Sequence, residues 1–114
     1  MLQEPAFIDA TLRALAEPRR REILRLLQAG EMTSGAVASH FDVTGPAISQ
    51  HLKVLEEAQL IGVRRSGTKR LYRTKPGGLV ELRGYLADFW TASLRSLAAE
   101  AEAEEQGSKH AGAN

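Results

Sequence analysis

A mainly helical α+β fold carrying one small β-hairpin is the class this sequence predicts, and three observations predict it. Apolar residues recur at helical spacing over most of the chain, and the period shortens to two over one stretch, Leu60 to Tyr72. The helical stretches are bounded by prolines, hydroxyl residues and glycines at the positions where helices start and stop. The 114 residues fit one domain, and 43% hydrophobic with 25% charged side chains is ordinary globular composition. A chain this short buries only about 65% of its unfolded surface, so self-association is an expected source of stability.

Taken in order, Pro5 opens a first helix with Ile8, Leu12 and Leu15 on one face, and Pro18 opens a second with Ile23, Leu24, Leu26 and Leu27, ending at Gly30. Thr33 or Ser34 caps a third short helix that carries Val37 and Phe41 and stops at Asp42-Val43. Thr44 caps a fourth, which tolerates Pro46 because no helical N–H bond is lost in the first turn. Its apolar positions are Ile48, Leu52 and Leu55. Ile61 and Val63 then share one face of a strand, Ser66-Gly67-Thr68 turns the chain, and Leu71-Tyr72 lies in the returning strand. After Lys75-Pro76-Gly77-Gly78 a long helix carries a stripe through Leu79, Leu82, Leu86, Phe89 or Trp90, Ser93 and Leu97. Residues 1–105 form the domain, and the small polar residues of 106–114 are expected as a flexible tail.

Several function classes are excluded. The absence of cysteine removes disulfides, thiolate metal sites, cysteine nucleophiles and thiol redox sensing. Met1 to Asp9 has no basic leader, and no apolar run approaches the roughly 18 residues of a membrane span, so a soluble, cytoplasmic, nucleoid-associated protein is expected. Glu100, Glu102, Glu104 and Glu105 resemble paired catalytic carboxylates only in number: they lie in an Ala-rich end with no cleft to raise a pKa. Pro76-Gly77-Gly78 lacks the lysine of a phosphate loop. His40, His51 and His110 fall on different segments, and Asp88 is a lone carboxylate on the last helix. The expectation is a protein that is not an enzyme and carries no metal or cofactor.

Charge points elsewhere. The total is only +1, yet residues 1–42, 43–75 and 76–114 carry net −1, +5 and −3. Arg64, Arg65, Lys69, Arg70, Arg73 and Lys75 crowd the hairpin with no acid among them, the composition of a polyanion-binding rim. Placing Ile48 in the core turns Pro46, Gln50, Lys53 and Glu57 to the opposite face of the fourth helix, with Ser49 and His51 on its flanks. Gln and Ser can read base edges, Lys can meet phosphates, and the free N–H groups at Thr44-Gly45 can meet another. Two short helices joined by a tight turn and followed by a basic hairpin make the layout of a winged helix-turn-helix.

These residues resemble the ArsR-type winged-helix transcriptional repressors. Ala14 to Leu24 (ALAEPRRREIL) looks like that family's second-helix signature, Ile48 to Leu55 (ISQHLKVL) like its recognition helix, and Gly67 to Tyr72 like its wing tip. The resemblance spans roughly residues 10–97 and implies DNA contacts from Thr44, Pro46, Ser49, Gln50, His51 and the wing cations Arg64, Arg65, Lys69, Arg70 and Arg73. It also implies a symmetric homodimer through the first and last helices, with Ile8, Leu12, Leu15, Leu82, Leu86, Phe89, Trp90 and Leu97 at the interface. Phe89 and Trp90 are also candidates for lining an effector pocket. Two departures stand out: Gln59 replaces the glycine that often follows the recognition helix, at about 1 kcal/mol, and Asp42 occupies a tight turn where a left-handed residue is expected. The family's metal-sensing cysteines and Asp/His clusters are missing, which places the chain with the metal-independent members. The implied function is a dimeric repressor, including one of its own promoter, on an inverted-repeat operator in double-stranded DNA. The competing reading is a winged helix that binds an acidic protein partner.

Overall fold

A computed structural model describes residues 3–112, with side chains described for residues 8–105. The elements run α1 (Gln3–Leu15), α2 (Pro18–Gln28), α3 (Ser34–Ala38), α4 (Gly45–Glu57), β1 (Ile61–Ser66), β2 (Lys69–Thr74) and α5 (Gly77–Gly112). One compact unit ends at Leu82 and a second begins at Arg83. The mainly helical class with a two-stranded hairpin is therefore observed.

Side-chain caps explain where the helices start. Thr44 accepts from the Ala47 N–H at 3.2 Å, with Pro46 in the first turn of α4. Thr33, not Ser34, caps α3, accepting from Ala36 at 3.1 Å. The carboxylate of Glu17 caps α2 in front of Pro18. The end of α1 is closed from α2: Arg20 donates to the carbonyls of Ala14 (2.7 Å) and Arg13 (2.9 Å), and Arg21 to that of Leu15 (2.8 Å). The end of the helix leaves these carbonyls without an i+4 N–H partner; that of Arg13 also accepts from the Ala16 N–H at 3.3 Å, and the guanidinium groups supply donors to all three.

The expected third helix is too long. It ends at Ala38, and Phe41 lies beyond it, half-buried against the core. Asp42 also departs from expectation, because Gln59 is the one non-glycine residue with positive φ among those described. At Gln59 the chain adopts φ 63° just past α4, with Leu60 N–H bonded to the Leu55 carbonyl and Gln59 N–H to that of Glu56. Those two bonds, with Leu55 and Leu60 both fully buried, form a Schellman closure of α4.

The core of the first unit gathers Ala14, Ile23, Leu27, Val37, Ile48, Leu52, Leu55, Ala58, Leu60 and Ile61. It is the meeting of α1–α4 with the foot of the hairpin, which fixes α4 by three buried residues and leaves its far side free. β1 and β2 pair antiparallel from Ile61↔Thr74 to Ser66↔Lys69, so Ser66 belongs to the strand and the loop is Gly67-Thr68 alone. A two-residue loop with positive φ only at its first position, Gly67 at +64°, matches a type II′ turn. A bridge between Met32 and Tyr72 ties the hairpin to the α2–α3 loop. Gly78, at the start of α5, donates to the Gln59 carbonyl at 3.0 Å, and a Cβ there would stand 2.5 Å from the Ala58 carbonyl oxygen.

The second unit is the remainder of α5. Tyr85, Leu86, Phe89, Trp90, Leu94 and Leu97 are exposed along it. The backbone is helical to Gly112, while the tail expected over 106–114, with His110, falls outside the described side chains, and residues 113–114 lie outside the described residues altogether.

Candidate nucleic-acid interface

Three residues bury α4, and the opposite side presents Thr44, Gly45, Pro46, Ser49, Gln50 and Lys53, all exposed. The Thr44 hydroxyl is engaged as the helix cap. Glu57 is exposed too, but borders a shallow pocket with Ala10 and Arg13 of α1. A cleft of about 630 Å³ separates α4 from the hairpin. Ser49, Lys53 and Glu56 form one wall, Thr68, Lys69, Arg70 and Tyr72 the other, and Thr33 and Ser34 close the end. Hydroxyl donors and three cations thus converge from three elements far apart in sequence. The chemistry of the cleft suits a polyanion: N–H and O–H donors with cations on both walls.

Thr33, Ser34, Thr68, Tyr72 and Glu56 join this site without being among the residues the sequence points to. Thr33 and Ser34 carried only a capping signal, and their placement against the wing depends on the Met32–Tyr72 bridge, which no local pattern announces.

Strand alternation divides the wing cations. Arg65 pairs with Arg70 and Val63 with Tyr72, so these residues share the face that borders the cleft. Arg64, Gly62, Arg73 and, through its pairing with Ser66, Lys69 share the other, and Lys69 at the hairpin tip still reaches the cleft lining. On that other face Arg73 lies over Gly62, its guanidinium 3.3 Å from where a Cβ would stand. Arg64 donates to both carboxylate oxygens of Glu31, Nε at 2.8 Å and Nη2 at 2.7 Å. These hydrogen bonds, with the charge of Arg73 nearby, hold the Glu31 carboxyl below the usual carboxylate range, and the same partner raises Arg64.

His51 is turned away from the exposed face. Its Nδ1 lies 3.4 Å from Arg20 Nη1 and its Nε2 3.9 Å from Glu17 Oε2, so it faces the α1–α2 junction with 17% of its side chain exposed. Spacing alone placed it on the flank; the arginine that caps α1 draws it inward.

The expected interface residues also divide. Ile8 and Leu15 are half-buried, Leu15 against the core, and Leu82 is buried. Leu12, Leu86, Phe89, Trp90 and Leu97 are exposed, Phe89 at 62% and Trp90 at 65%. Tyr85 and Leu94 extend the exposed set beyond the one-stripe pattern. Among the described residues no group of three His, Cys, Asp or Glu is placed to hold a metal ion, and no helix is long and apolar enough to cross a membrane.

Comparison with known proteins gives a consistent answer. A family model described as a helix-turn-helix domain matches residues 15–64. The chain is 43% identical over 90 residues to the HTH-type transcriptional regulator Rv2034 of Mycobacterium tuberculosis, covering 79% of this chain and 84% of that one. It is 46% identical over 60 residues to the transcriptional repressor SdpR of Bacillus subtilis, covering 53% and 67%. Among solved structures, a crystal structure of an ArsR family transcriptional regulator superposes with TM-score 0.72 at 26% identity, over 77% of this chain and 91% of that one. The homodimeric winged helix-turn-helix DNA-binding domain of Mb0332 from Mycobacterium bovis matches with TM-score 0.59 at 29% identity, over 82% and 83%.

Proposed function

The chain belongs to the ArsR family of winged helix-turn-helix transcriptional regulators, and from that premise we propose that it is a homodimeric repressor of the metal-independent kind, binding an inverted repeat in duplex DNA. The observation that carries this reading is the cleft between α4 and the wing, where Ser49 and Lys53 face Lys69 and Arg70 across about 630 Å³. α4 enters the major groove with Gln50 and Ser49 toward base edges, and Thr44, Gly45 and Pro46 bring its N-terminus to the backbone. Arg65, Lys69 and Arg70 meet phosphates along the wing. The α5 stripe of Leu86, Phe89, Trp90 and Leu97 covers the same stripe of a second copy, as its exposure and the homodimeric neighbour support. Two α4 helices so related read half-sites about one helical turn, ~34 Å, apart.

The test is fluorescence anisotropy with the duplex upstream of the protein's own coding sequence against a scrambled duplex, with and without a chelator. Tighter binding of the upstream duplex, unchanged by the chelator, is the expected result. Binding to neither duplex at low salt overturns the proposal and favours a protein partner for the same face.

A further inference from the structure

Arg64 and Glu31 carry an inference that deepens this reading and rests on it. The wing holds basic residues on both of its faces: Arg65 and Arg70 share the face of Tyr72 that borders the α4 cleft, and Lys69, at the hairpin tip, also lines the cleft although the register places it on the other face. Arg64 projects on the opposite face, and both of its N–H edges are engaged by Glu31 at 2.7 and 2.8 Å. Glu31 adjoins Met32, whose N–H and carbonyl bond the carbonyl and N–H of Tyr72 at 3.1 and 2.8 Å. Tyr72 is in turn a residue of β2 that borders the cleft, with Lys69 and Arg70. The α2–α3 loop therefore grips both strands of the wing side by side: β2 through the Met32 backbone and β1 through the Glu31 carboxylate.

We infer that Arg64 is a positioning residue, a strut that fixes the wing against the α2–α3 loop through Glu31, and that it makes no phosphate contact. A two-bond guanidinium–carboxylate pair has the fixed planar geometry that a single exposed ion pair lacks, and Arg73 beside it adds a second cation on the same face. With the wing held, Lys69 and Arg70 keep their places opposite Ser49 and Lys53. Arg64 and Arg73 are not part of the cleft lining, and solvent ions screen their charge within about 8 Å at physiological salt.

The sign of two neutralising variants separates a strut from a phosphate contact. On a scrambled duplex, Glu31→Gln adds one positive charge to the protein and Arg64→Gln removes one. A strut predicts that both weaken binding, by roughly two- to fivefold for the loss of one pair, with the salt slope of wild type kept. It also predicts that the charge-reversed pair Glu31→Arg with Arg64→Glu restores wild-type affinity. Tighter binding by Glu31→Gln, together with a slope lowered by about 1.8 in Arg64→Gln, or about 0.9 for each of two wings, would make Arg64 a phosphate contact and overturn the inference. Failure of the reversed pair to recover affinity, or no effect of either single variant, overturns it as well. The wild-type titration stands apart from these: absence of duplex binding there defeats the proposed function, whereas wild-type binding with the wrong variant pattern defeats only the strut. Both side chains are solvent-exposed, so the variants keep the fold, and melting curves check that they do.

Discussion

Gln59 holds φ at +63°, a conformation that sets Cβ against the following carbonyl in any residue but glycine. Its closure of α4 is needed to send the chain from the recognition helix into the wing, so the strain is borne by the rest of the Schellman motif. Gln59→Gly is expected to raise stability by up to about 1 kcal/mol in urea denaturation, reduced by loss of the exposed Lys75 contact to the Gln59 amide. A lower midpoint at unchanged slope would contradict that account. Gly78 is the reverse case, because an added Cβ meets the Ala58 carbonyl, which is backbone and cannot rotate away. Gly78→Ala should cost about 1–3 kcal/mol by the same measurement. At Glu31 the carboxyl is held below its ordinary range, so its contribution is complete above that range and disappears as pH falls through the lowered value. The melting temperature of wild type should therefore exceed that of Glu31→Gln at neutral pH and converge with it in acid. An advantage that grows with acidity would reverse the sign.

Among elements, the recognition helix was legible in the sequence because its signals are local. Thr44, Pro46 and the Ile48, Leu52, Leu55 spacing fix its start and its buried side, and the structure repeats them. The wing was legible as a hairpin but not as two faces, since a run of cations reads as one patch until the register Arg65↔Arg70 and Arg64↔Leu71 is known. α3 was overextended because Phe41 has helical spacing from Val37, and only the packing of Phe41 onto the core from outside the helix decides the matter. The cleft itself was invisible, because it is made by Thr33, Ser49 and Arg70 together, and their proximity depends on long-range pairing. His51 shows the same limit: its partner Arg20 lies on another helix. Gln50→Ala is expected to relax discrimination at one base pair by about 1–3 kcal/mol and to leave binding to scrambled duplex nearly unchanged. Equal loss on every duplex in a competition assay would make Gln50 a backbone contact.

For the whole molecule, the proposed dimer rests on the second unit, which would set whether one or two recognition helices meet the DNA. Its apolar side chains are exposed in the single chain, with Trp90 at 65% and Phe89 at 62%, an arrangement that favours association in water. Trp90→Glu is expected to give monomers in sedimentation equilibrium and to lose tight operator binding while keeping the fold. A dimeric Trp90→Glu protein would place the interface elsewhere. The cleft and the proposed dimer meet in one quantity, the salt dependence of duplex binding, because such a dimer would bring two wings to the DNA. The measurement is the slope of log affinity against log salt for wild type and for the variant Arg65→Ala/Lys69→Ala/Arg70→Ala. With about 0.9 lost per phosphate contact on each of two wings, the variant's slope should be shallower by roughly 5. Identical slopes would contradict the account, since these wing cations would then not be where the protein holds its DNA.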